Sequence, residues 1–152
     1  MGRAAALAVV AAFALPSVAA ASVTKGELIR NGDALCRQTG LMLKPLRERA
    51  QTVKSLPEEQ QWGAVASIWA SQIRIQEQFR VRFNRLGVPA GDVQARSFVP
   101  GIDRGLALAR AVQQGFARRN KSQVALALPR YLEFTLAFNR RVHAYGFRVC
   151  GT

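Results

Sequence analysis

The stretch NKSQVALALPRYLEFTLAFNRRVHAYG, residues 120–146, decides the fold, because it contains a helix start, one inward face and a helix stop. Asn120 opens the stretch as a helix cap, and Gly146 stands where helices commonly end on a left-handed residue. Between them, mainly apolar side chains recur at alternating steps of four and three, as on the buried face of a helix. Pro129 is the irregular position, and it would suit the first turn of a helix that starts later. The face consists of Val124, Leu128, Tyr131, Thr135, Phe138, Val142 and Tyr145.

The segment near the N-terminus that begins with Thr24 predicts another helix, which starts at Lys25. Thr24 and Glu27 form a capping box, in which each side chain binds a backbone N–H of the other residue. The inward face of this helix carries Cys36, although Pro45 and several glycines weaken the helix. Its positions are Ile29, Gly32, Cys36, Leu43, Leu46, Ala50 and Val53.

Two more helices are predicted in the middle of the chain. Ser55-Leu56-Pro57-Glu58 is a second capping box with proline in the first turn, and Gly87-Val88-Pro89 is a stop signal. The helix between these signals has a broad apolar face, which suits contact with two neighbours in a bundle. A further helix lies between Asp92 and Arg119, with an uncertain start because of Pro100. No segment shows the alternation that is typical of a strand.

Two cysteines, Cys36 and Cys150, are the only ones in the chain. Short connections make successive helices antiparallel, so the start of the first helix and the end of the fourth lie at the same end of the bundle. An even count of two suggests a single Cys36–Cys150 disulfide in an exported protein, and the bundle topology agrees with it; two free thiols or an intermolecular bond are the alternatives. Two thiols and the lone His143 are too few for a metal site. We expect an all-α, up-and-down antiparallel four-helix bundle with one disulfide.

Two short segments carry a resemblance to a known group of proteins. Ile29-Arg30-Asn31-Gly32-Asp33-Ala34-Leu35-Cys36 opens the first helix, and Tyr145-Gly146-Phe147-Arg148-Val149-Cys150-Gly151 reads Tyr-Gly-x-x-x-Cys-Gly. Both resemble segments of an uncharacterised family of small exported bacterial proteins, common in actinobacteria. The resemblance implies a two-cysteine helical bundle without an assigned activity. This chain differs from the lipid-anchored members because it has no lipidation cysteine.

The N-terminus is read as a signal peptide over residues 1–21, followed by a single helical-bundle domain over 22–152. Arg3 supplies a positive start, residues 4–15 are an apolar run, and Ala19-Ala20-Ala21 fits a cleavage site. The apolar run is shorter than the roughly 20 residues that span a bilayer. An uncleaved membrane anchor is the alternative. We expect export, to the periplasm or outside the cell, where a disulfide is stable.

The charge of the chain is strongly positive, with 22 basic and 9 acidic side chains. Antiparallel packing would gather the basic residues at the two ends of the bundle. Candidate anion-contacting residues are Arg118, Arg119 and Lys121 at one end and Arg140 and Arg141 at the other. The expected partner is an anionic envelope polymer, a lipid headgroup or an acidic protein. The alternative interpretation is that these cations only complement helix dipoles.

Other functional classes find little support in the sequence. No nucleophile elbow, zinc helix or phosphate-binding loop is present, so no catalytic residue is assigned and a non-enzymatic protein is expected. No haem motif or other cofactor signature occurs. Nucleic acid is not an expected partner, because nothing reads as a recognition helix or stacking platform. We expect a monomeric binding or envelope-associated protein, with a carrier of a small apolar ligand in the bundle core as the alternative.

Overall fold

The computed structural model describes residues 23–151, which fold into four long helices and one short one. The predicted signal peptide lies outside the described residues. These residues include no β-strand, so the all-α class is confirmed. The helices are α1 (Lys25–Thr52), α2 (Glu58–Asn84), α3 (Val93–Arg96), α4 (Phe98–Ala117) and α5 (Lys121–Tyr145), with a 3₁₀ turn at Val53–Ser55.

Helix α1 begins as predicted. The Thr24 hydroxyl accepts a hydrogen bond from the Glu27 amide at 3.2 Å, and the Glu27 carboxylate accepts from the Thr24 amide at 2.8 Å. The helix continues through Pro45, which removes one backbone donor from its second half. One turn earlier, the Gly40 carbonyl accepts a hydrogen bond from the Arg47 guanidinium at 3.1 Å.

The predicted capping box at the start of α2 is wrong. Ser55 belongs to the 3₁₀ turn that continues α1, and its hydroxyl donates to the Thr52 carbonyl at 2.7 Å. The hydroxyl therefore stays with the preceding turn instead of capping the next helix. Pro57 occupies the N-cap without a side-chain hydrogen bond, and α2 starts at Glu58.

The suggestion that Pro129 marks the first turn of the last helix is also wrong. Helix α5 starts at Lys121, where the Asn120 side chain accepts a hydrogen bond from the Gln123 amide at 2.9 Å. Pro129 lies within the helix on its exposed side. Water can satisfy the carbonyl that proline leaves without a donor, so the helix tolerates it there.

The predicted third helix is divided in two. Asp92 caps α3 by accepting a hydrogen bond from the Ala95 amide at 2.8 Å. Ser97 separates this single turn from α4, in which Pro100 lies in the first turn, where its missing N–H costs no helical bond. The short helix carries Ala95 into the core, where it is 2% exposed.

The long helices pack in chain order, with α1 on α2, α2 on α4 and α4 on α5. Two buried clusters fill the bundle. The disulfide-end cluster consists of Leu28, Phe83, Ala95, Phe98, Val142, Tyr145, Phe147 and Cys150. The central cluster consists of Ile73, Leu106, Ala109, Val112, Ala127 and Tyr131. Within the described chain, no residue of α1 beyond Cys36 belongs to either cluster or packs against it as a partly buried apolar neighbour.

Helices α4 and α5 approach closely at two glycines. A side chain at Gly101 would collide with the ring of Phe138, and one at Gly105 would lie 3.3 Å from the ring of Phe134. Small residues four apart let neighbouring helices come close, and here they give two phenyl rings a flat surface. None of the helices described is long and apolar enough to cross a membrane.

Candidate functional site

The predicted Cys36–Cys150 disulfide is confirmed. The sulfur atoms lie 2.05 Å apart and the Cα atoms 5.2 Å apart, with 114 residues of separation along the sequence. The bond joins α1 to the segment that follows α5, which we call the C-terminal strap and define as residues 147–150. Phe147 of this strap is 2% exposed and contacts the rings of Phe83, Phe98 and Tyr145.

Asp33 holds the same strap through hydrogen bonds and was not identified as a key residue from the sequence. Its carboxylate accepts from the backbone amides of Arg148 at 3.0 Å, Val149 at 2.9 Å and Cys150 at 3.1 Å. Asp33 is 7% exposed and is the buried charged residue of the described chain. Its place three residues before Cys36 puts both side chains on one face of α1. That spacing was the available signal.

The electrostatics of Asp33 follow from this geometry. Burial alone would raise the pKa of its carboxyl group. The amides of Val149, Arg148 and Cys150, helped by the nearby Arg37 guanidinium, outweigh burial and hold the pKa below its ordinary value. Asp33 is therefore a charged acceptor that fixes the strap.

A second polar contact joins α5 to the start of α3. The Tyr145 hydroxyl donates to the Asp92 carboxylate at 2.6 Å, and the Lys25 ammonium lies 4.3 Å from the centre of the Tyr145 ring. Burial and the Asp92 carboxylate both raise the pKa of Tyr145. The hydroxyl therefore stays protonated and serves as a structural donor.

The first group of predicted anion-contacting residues lies in the connection between α4 and α5. Arg118, Arg119 and Lys121 are all exposed. Arg119 adopts a left-handed backbone conformation with φ of 51°, and its guanidinium donates to the Glu59 carbonyl at 3.1 Å. Glu58 and Glu59 line the same depression as Arg119, so carboxylates offset part of the positive charge at this end.

The second predicted group, Arg140 and Arg141, lies near the opposite end of α5 and is also exposed. The Arg141 guanidinium lies 5.4 Å from the centre of the Phe138 ring, and Phe138 stacks on Phe134. Lys121 and Arg140 are about 28 Å apart along the helix at 1.5 Å per residue. The five predicted residues therefore form two separate groups at the ends of one helix and not one site.

Exposed leucines lie between the two basic groups, and no motif in the sequence distinguishes them from core residues. Leu126, Leu132 and Leu136 are 64%, 51% and 61% exposed. Leu132, Leu136 and Arg140 follow one another at steps of four, so they share one side of α5. Arg130 is also exposed on α5, and Glu133 is the single carboxylate-bearing residue of this helix. We call the surface formed by Leu126, Arg130, Leu132, Leu136, Arg140 and Arg141 the α5 outer face.

The disulfide-end cluster encloses one small apolar cavity. A cavity among Phe79, Phe98 and Phe138 in the disulfide-end cluster has a volume of about 80 Å³. Ligand sites usually measure about 300–1,000 Å³. This volume gives no support to carriage of an apolar ligand in the core. Among residues 23–151, no three His, Cys, Asp or Glu side chains come together as they would in a metal site.

Comparisons with known protein families, with curated proteins and with solved structures find no match to this chain.

Proposed function

We propose that this protein is an exported, non-enzymatic, envelope-associated protein that binds an anionic lipid surface through the α5 outer face. The observation that carries the proposal is the presence of three exposed leucines between two groups of basic residues on one helix. Interfacial binding combines burial of such apolar side chains with attraction of Lys and Arg to anionic headgroups.

Export is supported by two independent features. The N-terminal pattern of Arg3, an apolar run and small residues is typical of a signal peptide. The disulfide between Cys36 and Cys150 is compatible with an oxidising compartment outside the cytosol. The proposal therefore places the protein in the periplasm or outside the cell.

The distribution of charge supports an anionic partner. Residues 23–151 contain 21 of the 22 basic side chains of the chain. Three of these side chains, Lys44, Arg80 and Arg110, form ion pairs. The other basic residues of this described range have no described carboxylate within ion-pair distance. Their field extends over about 10 Å at 0.1 M salt and attracts anions.

The leucines favour a lipid surface over a polymer, an acidic protein or a second copy of the chain. A polyanion would engage the arginines and leave Leu132 and Leu136 in water. A second copy would bring Arg130, Arg140 and Arg141 toward their equivalents, and like charges repel. A bilayer interface offers both an anionic layer and an apolar layer.

The binding energy divides between these two contributions. Full burial of a leucine is worth about 1.5–3 kcal/mol, and about half of each side chain remains to be buried here, so each of Leu126, Leu132 and Leu136 contributes about 1 kcal/mol. Each basic residue near an anionic surface contributes about 1 kcal/mol. Neither contribution alone gives strong attachment.

The test is co-sedimentation of the mature protein with phosphatidylcholine vesicles that contain or lack phosphatidylglycerol. We expect binding only to the anionic vesicles and a steep loss of binding between 0.1 M and 1 M salt. Leu132→Ser with Leu136→Ser should weaken binding about thirtyfold, since about 2 kcal/mol is lost. Arg140→Glu with Arg141→Glu should weaken it at least tenfold.

Matched controls change other exposed surfaces by the same chemistry. Arg74→Glu with Arg82→Glu reverses two charges on α2, and Leu41→Ser with Val81→Ser removes two exposed apolar side chains on α1 and α2. Both control proteins should bind like the original chain. Equal binding to neutral vesicles, or equal loss in the control variants, would contradict the proposal. If the leucine variant binds soluble polyanions as strongly as the original chain does, the result would instead indicate a polymer ligand.

A further inference from the structure

A groove runs between α1 and α2, away from the α5 outer face. It comprises two adjoining cavities of about 200 and 350 Å³, and Leu43 and Arg47 of α1 line both of them. The second volume by itself falls within the range of about 300–1,000 Å³ that is usual for ligand sites. We call this space the α1–α2 groove.

The second half of α1 is poorly packed for its sequence. Leu43, Leu46 and Ala50 lie on the face that points toward α2, yet no residue after Cys36 in this helix belongs to either buried cluster. Leu43 and Leu46 are only half-buried. Apolar side chains that face a space instead of partner atoms forfeit packing energy, so this face gains from an occupant.

The polar groups of the groove have a definite character. Arg47 and Arg37 supply two guanidinium groups, and the amides of Gln72 and Gln76 lie one turn apart on α2. No carboxylate lines either cavity. Arg47 is held in place by its hydrogen bond to the Gly40 carbonyl at 3.1 Å, so its charge is positioned before any ligand arrives. Gln72 interrupts an otherwise apolar face of α2, and its amide donates a hydrogen bond to the Tyr131 hydroxyl at 3.3 Å, so Gln76 is the amide that remains for a ligand.

We infer that the α1–α2 groove binds a small amphipathic carboxylate, such as a medium-chain fatty acid. The carboxylate pairs with Arg47, whose planar fork suits two oxygens, and the alkyl chain lies along Leu43, Leu46 and Ile68. The inference goes beyond surface attachment and does not depend on it, because the groove and the α5 outer face share no residue.

Other occupants match the groove less well. The apolar N-terminal segment of the chain has one charged side chain, Arg3, which is positive and would be repelled by Arg37 and Arg47. A second copy of this basic protein meets the same repulsion. An uncharged apolar molecule would cover the Arg47 guanidinium and leave its charge without a counter-charge, and desolvated charges without a counter-charge weaken binding.

The experiment is calorimetric titration of the mature protein with dodecanoate below its micellar concentration. We expect saturable binding of one molecule per chain and much weaker binding of dodecyltrimethylammonium, which has the same chain and the opposite charge. Arg47→Gln should weaken dodecanoate binding at least tenfold. Arg49→Gln is the matched control, because Arg49 lies on the same helix but lines neither cavity.

Two further variants locate the ligand. Ala50→Phe places a ring in the smaller cavity and should abolish or strongly reduce binding, whereas Leu132→Ser with Leu136→Ser on α5 should leave it unchanged. Amide chemical shifts should move at residues 43–50 and 68–76. The inference is overturned by equal binding of the cationic ligand, by an unchanged affinity in Arg47→Gln, or by shift changes confined to α5.

Discussion

Asp33→Asn is the change that best tests how the C-terminal strap is held. The carboxylate accepts from three backbone amides, at 2.9 Å from Val149, 3.0 Å from Arg148 and 3.1 Å from Cys150. Asparagine keeps one acceptor oxygen, loses the charge and turns an NH₂ group toward backbone donors. A hydrogen bond to a charged group is worth about 1.5–3 kcal/mol and a neutral one about 0.5–1.5 kcal/mol. Two bonds weakened by about 1 kcal/mol each and one lost bond worth about 1.5 kcal/mol therefore cost about 3.5 kcal/mol.

This cost should appear in guanidinium unfolding of the mature protein with the disulfide intact. At neutral pH the variant should lose about 3.5 kcal/mol of unfolding free energy, or at least about 10 °C in melting temperature for a domain of this size. Glu133→Gln is the control, since it removes the same charge from an exposed position. Its unfolding free energy should stay within about 0.5 kcal/mol of the original.

The pH dependence gives an independent check. The folded pKa of Asp33 lies below its unfolded value of about 3.9, so the carboxylate stabilises the fold above that pH. The stabilisation is lost as the pH falls through the folded pKa. The difference in unfolding free energy between the original chain and Asp33→Asn should therefore become smaller at acid pH. A difference in unfolding free energy below about 0.5 kcal/mol at neutral pH, or a difference that does not change on acidification, would show that the disulfide holds the strap without Asp33.

Three further predictions concern the Cys36–Cys150 disulfide, the contact between α4 and α5, and the N-terminus. Reduction, or Cys36→Ser with Cys150→Ser, should lower the melting temperature by more than about ten degrees, because closing a loop of about a hundred residues is worth up to about 4.7 kcal/mol; alkylation of both thiols in the native exported protein would contradict the bond. Gly101→Ala should destabilise the fold by about 1–3 kcal/mol through its collision with Phe138. Gly63→Ala, which meets open space, should stabilise it by up to about 1 kcal/mol, and thermal unfolding that ranks the two variants the other way would refute the close packing of α4 on α5. N-terminal sequencing of exported protein should find Ser22 first, or Ala21, and recovery of Met1 would contradict the signal peptide.

The helices and the disulfide were predictable because their signals are local or periodic. Thr24 and Glu27 specify one helix start, Asn120 specifies another, and Gly146 specifies a stop. The positions of Cys36 and Cys150 at one end follow from short connections alone. Each of these inferences needs only residues that are near one another in the sequence, or a count of helices.

The contacts that sequence reasoning missed join distant residues or depend on which side of a helix faces water. Asp33 interrupts an apolar face, and its partners lie 115 to 117 residues further along the chain. Pro129 reads as a helix start, but an exposed position lets a proline remain inside the helix. Leu132 and Leu136 lie off the inward face of α5, and they stay exposed because α4 covers the opposite side, where Phe138 and Phe134 meet Gly101 and Gly105.

The strap has a consequence for the order in which the molecule is completed. Synthesis delivers Asp33 and Cys36 more than a hundred residues before the amides and the thiol that they require. Until then the growing chain carries a free thiol and a carboxylate without its partners, next to the gap that the Phe147 ring fills. A chain interrupted before residue 147 would contain all four long helices and still lack the ring, the three amides and the second cysteine. Closure of the bundle therefore waits for the last few residues, and an oxidant must reach Cys36 after the helices have been made.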